Sequence, residues 1–120
     1  MAFMFENLKV DQKALDLSEQ IIAVSETFPR GYYFLSDQLT RASLPVATNL
    51  AEGNGRFTKS DRRNFFIIAR GSAQECVPLI EYARRKRLLQ DAVHAELRDQ
   101  IEVIAKMISG LIAGIENRRS

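Results

Sequence analysis

The chain has 120 residues, 46% of them hydrophobic and 27% charged, with only six glycines and three prolines; this is enough for one core-forming domain and excludes a disordered or low-complexity chain. A single cysteine, Cys76, excludes an intrachain disulfide, and a single histidine, His94, excludes a zinc site of several Cys and His ligands. The net charge of +2 gives by itself no pull toward nucleic acid, but it is unevenly spread. Residues 1–55 hold four bases against seven acids, residues 56–90 nine against three, and residues 91–120 four against five.

The opening Met-Ala-Phe-Met-Phe-Glu lacks the basic start and long apolar run of a secretory signal. The longest apolar segment, Ile101 to Ile115, is broken by Glu102 and Lys106 and is too short to span a bilayer. The expectation is a soluble, cytoplasmic protein with no membrane partner.

Val10, Ala14, Leu17, Ile21, Val24 and Phe28 recur in alternating steps of four and three, the signature of a helix with one apolar seam, and Pro29 with Gly31 stops it. A first helix is expected near 9–28. Ser36 can cap a second helix, 36–54, whose seam is Leu39, Ala42, Val46, Asn49 and Gly53, with Pro45 in its interior either kinking it or dividing it in two. Thr58 or Ser60 can cap a third, 59–89, with a seam of Phe65, Ile68, Ser72, Glu75, Leu79 and Tyr82 and a further interior proline at Pro78. Asp91 opens a fourth, 91–117, with Leu97, Ile101, Ile104, Ile108, Leu111 and Ile115 inward, and Arg118–Arg119 complementing its C-terminal dipole. Four long helical patterns with short connections and no alternating strand predict an all-α, antiparallel up-down-up-down four-helix bundle of one domain.

Helix four is apolar beyond its seam, at Val103, Ala105, Met107, Ile112 and Ala113, with Gly110 and Gly114 open to another backbone. A helix greasy on more than one side is usually buried on more than one side, so self-association is expected.

Asn49, Gly53, Ser72 and Glu75 occupy seam positions, so a buried polar layer between helices two and three is expected, with Glu75 partnered by Asn49, Ser72, Arg41 or Arg56. Glu52 and Arg56, four apart with the acid first, should pair, and Gly53 and Gly71 should permit close helix approach. A catalytic or metal site of Glu52, Glu75 and His94 lacks the repeated Glu-x-x-His units of a di-iron bundle, and Cys76 and His94 have no spacing that links them as nucleophile and base. No catalytic residue, metal or cofactor is therefore assigned. Cys76 reads as a small core residue.

The run Arg84-Arg85-Lys86-Arg87 suits a helix C terminus. Joined by Arg56, Lys59, Arg62, Arg63 and Arg70 on the same hairpin, it forms a candidate basic face for RNA or DNA, which an oligomer would repeat around its axis.

The segments Gln38-Leu39, Arg41-Ala42, Asn49-Leu-Ala-Glu-Gly53 with Arg56, Phe65-Phe-Ile-Ile-Ala69 and Gly71-Ser72-Ala-Gln-Glu75 resemble the four-helix bundle proteins encoded in intervening sequences of bacterial large-subunit ribosomal RNA genes. Pro45 departs from the pattern, which usually has serine there, with a proline two positions later. The resemblance implies a cytoplasmic, non-enzymatic bundle assembling as a ring-like homo-oligomer, most simply a homopentamer. It also implies kinship with the accessory variability proteins of diversity-generating retroelements, which are pentameric and linked to nucleic acid and to a reverse transcriptase. The function expected from residues and resemblance together is nucleic-acid or nucleoprotein binding through the basic face; the alternative is a protein–protein scaffold or adaptor.

Overall fold

A computed structural model of the chain describes residues 5–117, with side chains from Lys9 onward. The expectations for the first four residues and for Arg118–Arg119 lie outside the described residues. The described residues form four helices in a rod of 52 × 21 × 21 Å: α1 (Phe5–Ser25), α2 (Tyr33–Asn54), α3 (Lys59–Arg85) and α4 (Asp91–Asn117), with a 3-10 turn at Arg30–Tyr32. Each helix packs on the next and α4 closes back on α1, which is the expected bundle. No helix among the described residues is long and apolar enough to cross a membrane.

Val10, Ala14, Leu17 and Ile21 of α1 are fully buried, and Phe28 plugs the turn that follows. Ser36 does not cap α2 as expected. Its hydroxyl donates to the Ser25 carbonyl at 2.9 Å and so satisfies the end of α1, while α2 starts earlier, from the 3-10 turn. Thr58 does cap α3: its Oγ1 accepts from the Asp61 amide at 3.1 Å. Pro45 does not divide α2, which runs as one helix, and Asn49 and Thr48 both donate their side chains to the Pro45 carbonyl. Pro78 is likewise contained within an unbroken α3.

The rotation of α3 differs from the expected one by a single residue. Its buried positions are Phe66, Ala69, Ala73, Cys76, Ile80 and Ala83, each one residue beyond the expected seam. The sequence carries two adjacent stripes, one bulky (Phe65, Ile68, Leu79, Tyr82) and one mostly small. Helices that pack to interior density at close range need the small one inward. A second consequence is that α3 ends at Arg85 rather than near Leu89. The Leu88 amide reaches back to the Ala83 carbonyl and the Arg87 amide to the Arg84 carbonyl, with Arg87 at φ 60°. This closing turn is usually made by glycine, and an arginine there costs about 1 kcal/mol.

The closest helix approach is at Gly53, which is buried against α3. A Cβ there would stand 2.6 and 2.8 Å from two ring atoms of Phe66 and 3.2 Å from the Phe65 Cβ. Gly71, Gly110 and Gly114 are exposed, with no atom within 4 Å of such a Cβ, so the close approach expected at Gly71 does not occur. Overpacking beside a fully buried ring destabilises by about 1–3 kcal/mol, which outweighs the roughly 1 kcal/mol alanine gains over glycine in a helix. Gly53→Ala should therefore lower the urea midpoint at unchanged slope; a raised midpoint would mean that Phe66 can move aside.

Candidate nucleic-acid interface

The one-residue rotation of α3 decides where each expected site residue lies. The polar layer is not formed. Glu75 is exposed, Ser72 is half-buried, and Asn49 donates its amide to Pro45 at 2.8 Å rather than across the helix pair. At the level where the layer was expected, the core is Ala69, Ala73 and Cys76. The physical reason is the preference for small side chains at the α2–α3 contact, which turns the polar residues onto the outer groove between the two helices. Glu52 and Arg56 do pair, at 2.8 Å, and the Arg56 guanidinium also lies 4.7 Å from the centre of the Phe65 ring. Both ends of that ion pair are about half exposed, so it contributes little to stability.

The nine candidate cations do not form one continuous face. They fall into two groups at opposite ends of α3, about 35 Å apart at the helical rise. Arg56, Lys59, Arg62 and Arg63 surround its N terminus, and Arg84, Arg85, Lys86 and Arg87 its C terminus, with Arg70 between them donating to Ser109 Oγ at 3.1 Å.

Several of these cations are already engaged. Arg63 Nε lies 2.6 Å from the Glu116 carboxylate of α4. At the other end Glu81 collects three partners. Arg84 approaches it with two nitrogens at 3.1 and 2.8 Å, Arg85 binds it at 2.9 Å, and His94 Nε2 of α4 sits 3.2 Å from its Oε1. The imidazole is off the hydrogen-bonding line, so this last contact is electrostatic and acts when the ring is protonated. Arg84 also lies 3.7 Å from Asp91, and Lys86 rests 5.5 Å from the centre of the Tyr82 ring. Hydrogen bonds from Arg84 and then Arg85 hold the Glu81 carboxyl down at about 2. An open basin of about 820 Å³ lies beside this cluster, lined by Arg84, Arg85, Arg87, Leu88, Leu89, Gln90 and Asp91.

Burial pushes the Cys76 thiol up to about 12, with the nearby Glu75 charge adding to it. Cys76 is therefore a protonated core residue at neutral pH, its sulfur donating to the Ser72 carbonyl at 3.5 Å. Among the described residues no group of three or more His, Cys, Asp or Glu side chains is placed to hold a metal ion.

The pairs Glu81–Arg84 and Glu81–Arg85 were legible as spacings of three and four on one helix. The partners Glu116, Ser109 and His94 come from α4 and have no sequence signal on α3.

A family model described as "23S rRNA-intervening sequence protein" matches residues 6–110. The chain belongs to this family. Among solved structures, the chain is similar to a protein of unknown function from the S23 ribosomal protein family of Bacteroides thetaiotaomicron, at 18% identity and a TM-score of 0.84, over 91% of this chain and 99% of the other. At that identity the likeness establishes the bundle fold. No curated protein sequence matches the chain.

The Glu81 cluster gives the bundle an acid-labile corner. An ordinary glutamate titrates at 4.5, and this one is held near 2 in the folded state. Its contribution to stability is thus complete above about pH 5 and is lost as pH falls through the folded value. The thermal midpoints of wild type and Glu81→Gln should differ at neutral pH and converge toward pH 2; a gap that persists in acid would show that the carboxylate's charge is not what binds the corner together.

Proposed function

We propose that the protein is a non-enzymatic, self-associating helical bundle that binds RNA or DNA, or a nucleoprotein partner, through cations displayed at the two ends of α3. The observation that carries this reading is the charge of residues 56–90, nine bases against three acids, eight of the nine bases lying at the two ends of α3. The pairs that hold some of these cations, Arg56–Glu52 and Arg63–Glu116, are half exposed. Such pairs are weak in water, so a phosphate can exchange for the carboxylate.

Self-association is supported by the outer α2–α3 groove. Ile68 is 51% exposed and Phe34 is 53% exposed, with the Phe34 ring edge-on to Tyr82 at 6.3 Å. The motif residues Gln38, Arg41 and Glu75 are exposed alongside them. A ring, a homopentamer by resemblance, would cover this groove and repeat the basic ends around its axis. The cytoplasmic setting, the relation to retroelement accessory proteins and a reverse transcriptase partner belong to the same proposal. The second reading, a protein scaffold without a nucleic-acid role, draws on this same apolar groove.

Affinity for RNA and for duplex DNA should fall steeply as salt rises. Replacing Arg62, Arg63, Arg84 and Arg85 by glutamine should weaken binding and flatten the salt slope by about one for each phosphate that is no longer neutralised. No binding at low salt would leave the scaffold reading in place. In light scattering the wild type should run as an oligomer at micromolar concentration and Ile68→Glu should shift it toward monomer; a wild-type monomer would remove the ring, and an unshifted variant would move the interface elsewhere.

A further inference from the structure

The turn between α2 and α3 presents one side chain that the fold does not use. Phe57 is 102% exposed, so its ring contacts nothing in the chain. Both neighbours, though exposed, have contacts of their own within the fold. Arg56 lies back over Phe65 and pairs with Glu52, and the Thr58 hydroxyl caps α3. The turn itself does not call for an aromatic residue: it is closed by backbone bonds, from Gly55 to the Ala51 and Glu52 carbonyls and from Arg56 to the Gly53 carbonyl. A bare phenylalanine ring in water gains by covering its apolar face, so Phe57 is open to a ligand that has one.

The surroundings indicate what kind of face. Arg56, Lys59, Arg62 and Arg63 lie close to the tip in the chain, Arg62 half-buried, and the first turn of α3 adds the positive end of its dipole. Glu52, Asp61 and Glu116 are the acids in the same region, and two of them occupy exposed, exchangeable pairs. The adjacent residues Asn54, Gly55, Thr58 and Ser60 are small or polar. A lone ring among cations suits a flat base flanked by phosphates. A bilayer anchor calls for a broader apolar surface than one ring.

We propose that Phe57 is a stacking platform for an unpaired base of single-stranded nucleic acid, with the α3 N-terminal cations holding the flanking phosphates. The inference rests on the nucleic-acid reading above and assigns it to this end of the bundle. Duplex bases are already stacked on one another and offer no free face, so a single strand is the partner.

The chain contains no tryptophan, so Phe57→Trp is a single fluorescent reporter at the tip. The probes are a short oligouridine strand, whose bases stack weakly on each other, a hairpin duplex, and vesicles of phosphatidylcholine with phosphatidylserine. Phe57→Ala should weaken binding of the strand by roughly 5- to 150-fold, leave duplex binding little changed, and leave the circular dichroism spectrum as it was. The Phe57→Trp emission should be quenched by the strand. If the wild type binds neither strand nor duplex at low salt, the nucleic-acid reading fails and this inference with it. If the wild type binds the strand, Phe57→Ala binds equally well and Phe57→Trp is not quenched, the stacking role alone is overturned. Emission that shifts to the blue on vesicles and ignores the strand overturns it in favour of a membrane-probing tip.

Discussion

The contact of α2 with α3 through small side chains governs the rest of the molecule. Gly53 admits the Phe66 ring, and Ala69, Ala73, Cys76 and Ala83 let the two helices lie close along the length of α3. Once that stripe is inward, every other side chain of α3 has its direction. Arg63, Arg70 and Glu81 reach α4, where they meet Glu116, Ser109 and His94. Ile68, Glu75 and Tyr82 are left exposed on the other flank. The electrostatics at the ends and the apolar groove on the side are both consequences of one packing choice.

The bundle was readable from the chain because α1, α2 and α4 carry unambiguous seams: Leu17 and Ile21, Leu39 and Val46, Ile101, Ile104 and Ile108 all lie in the core where their spacing put them. Helix three was not, since its apolar residues come in neighbouring pairs such as Phe65–Phe66, Ile68–Ala69 and Leu79–Ile80. Hydrophobicity alone favours the bulkier member of each pair. Packing density favours the smaller one, and density cannot be judged until the opposing surface, here Gly53, is known. A shift of one residue is 100° on a helix, enough to convert a supposed buried polar layer into a surface groove. The expected cap of α2 failed for a related reason: Ser36 was free to serve either α1 or α2, and only the tertiary fold brings the Ser25 carbonyl within reach.

Charge is the second feature that composition alone could not place. The excess of bases in residues 56–90 suggested one face, yet a helix of 27 residues carries its two ends too far apart for that. The two clusters also differ in kind. At the C-terminal end, Glu81 ties Arg84 and Arg85 together, and Arg84 also reaches Asp91 of α4. There a cation that leaves for a phosphate gives up a structural partner. At the N-terminal end, Arg56 and Arg63 pair with different carboxylates, Glu52 and Glu116.

That asymmetry bears on how a ring of such subunits could use both ends. Neighbouring helices in the bundle run in opposite directions, so the ends of α3 are also the ends of the rod, and subunits packed side by side around an axis would gather one kind of cluster on each rim. The rim with the Glu81 network would keep Arg84 and Arg85 engaged and leave Lys86 and Arg87 exposed. The rim with Phe57 would combine loosely held cations with an uncommitted ring, and loosely held charge is the kind that responds to a polyanion. Multivalency then converts a weak contact per subunit into appreciable affinity, because each further contact forms at high local concentration once the first is made. On the proposed reading assembly and binding would be one property: a groove that buried Ile68 against another subunit would also bring the separate tips onto a common strand.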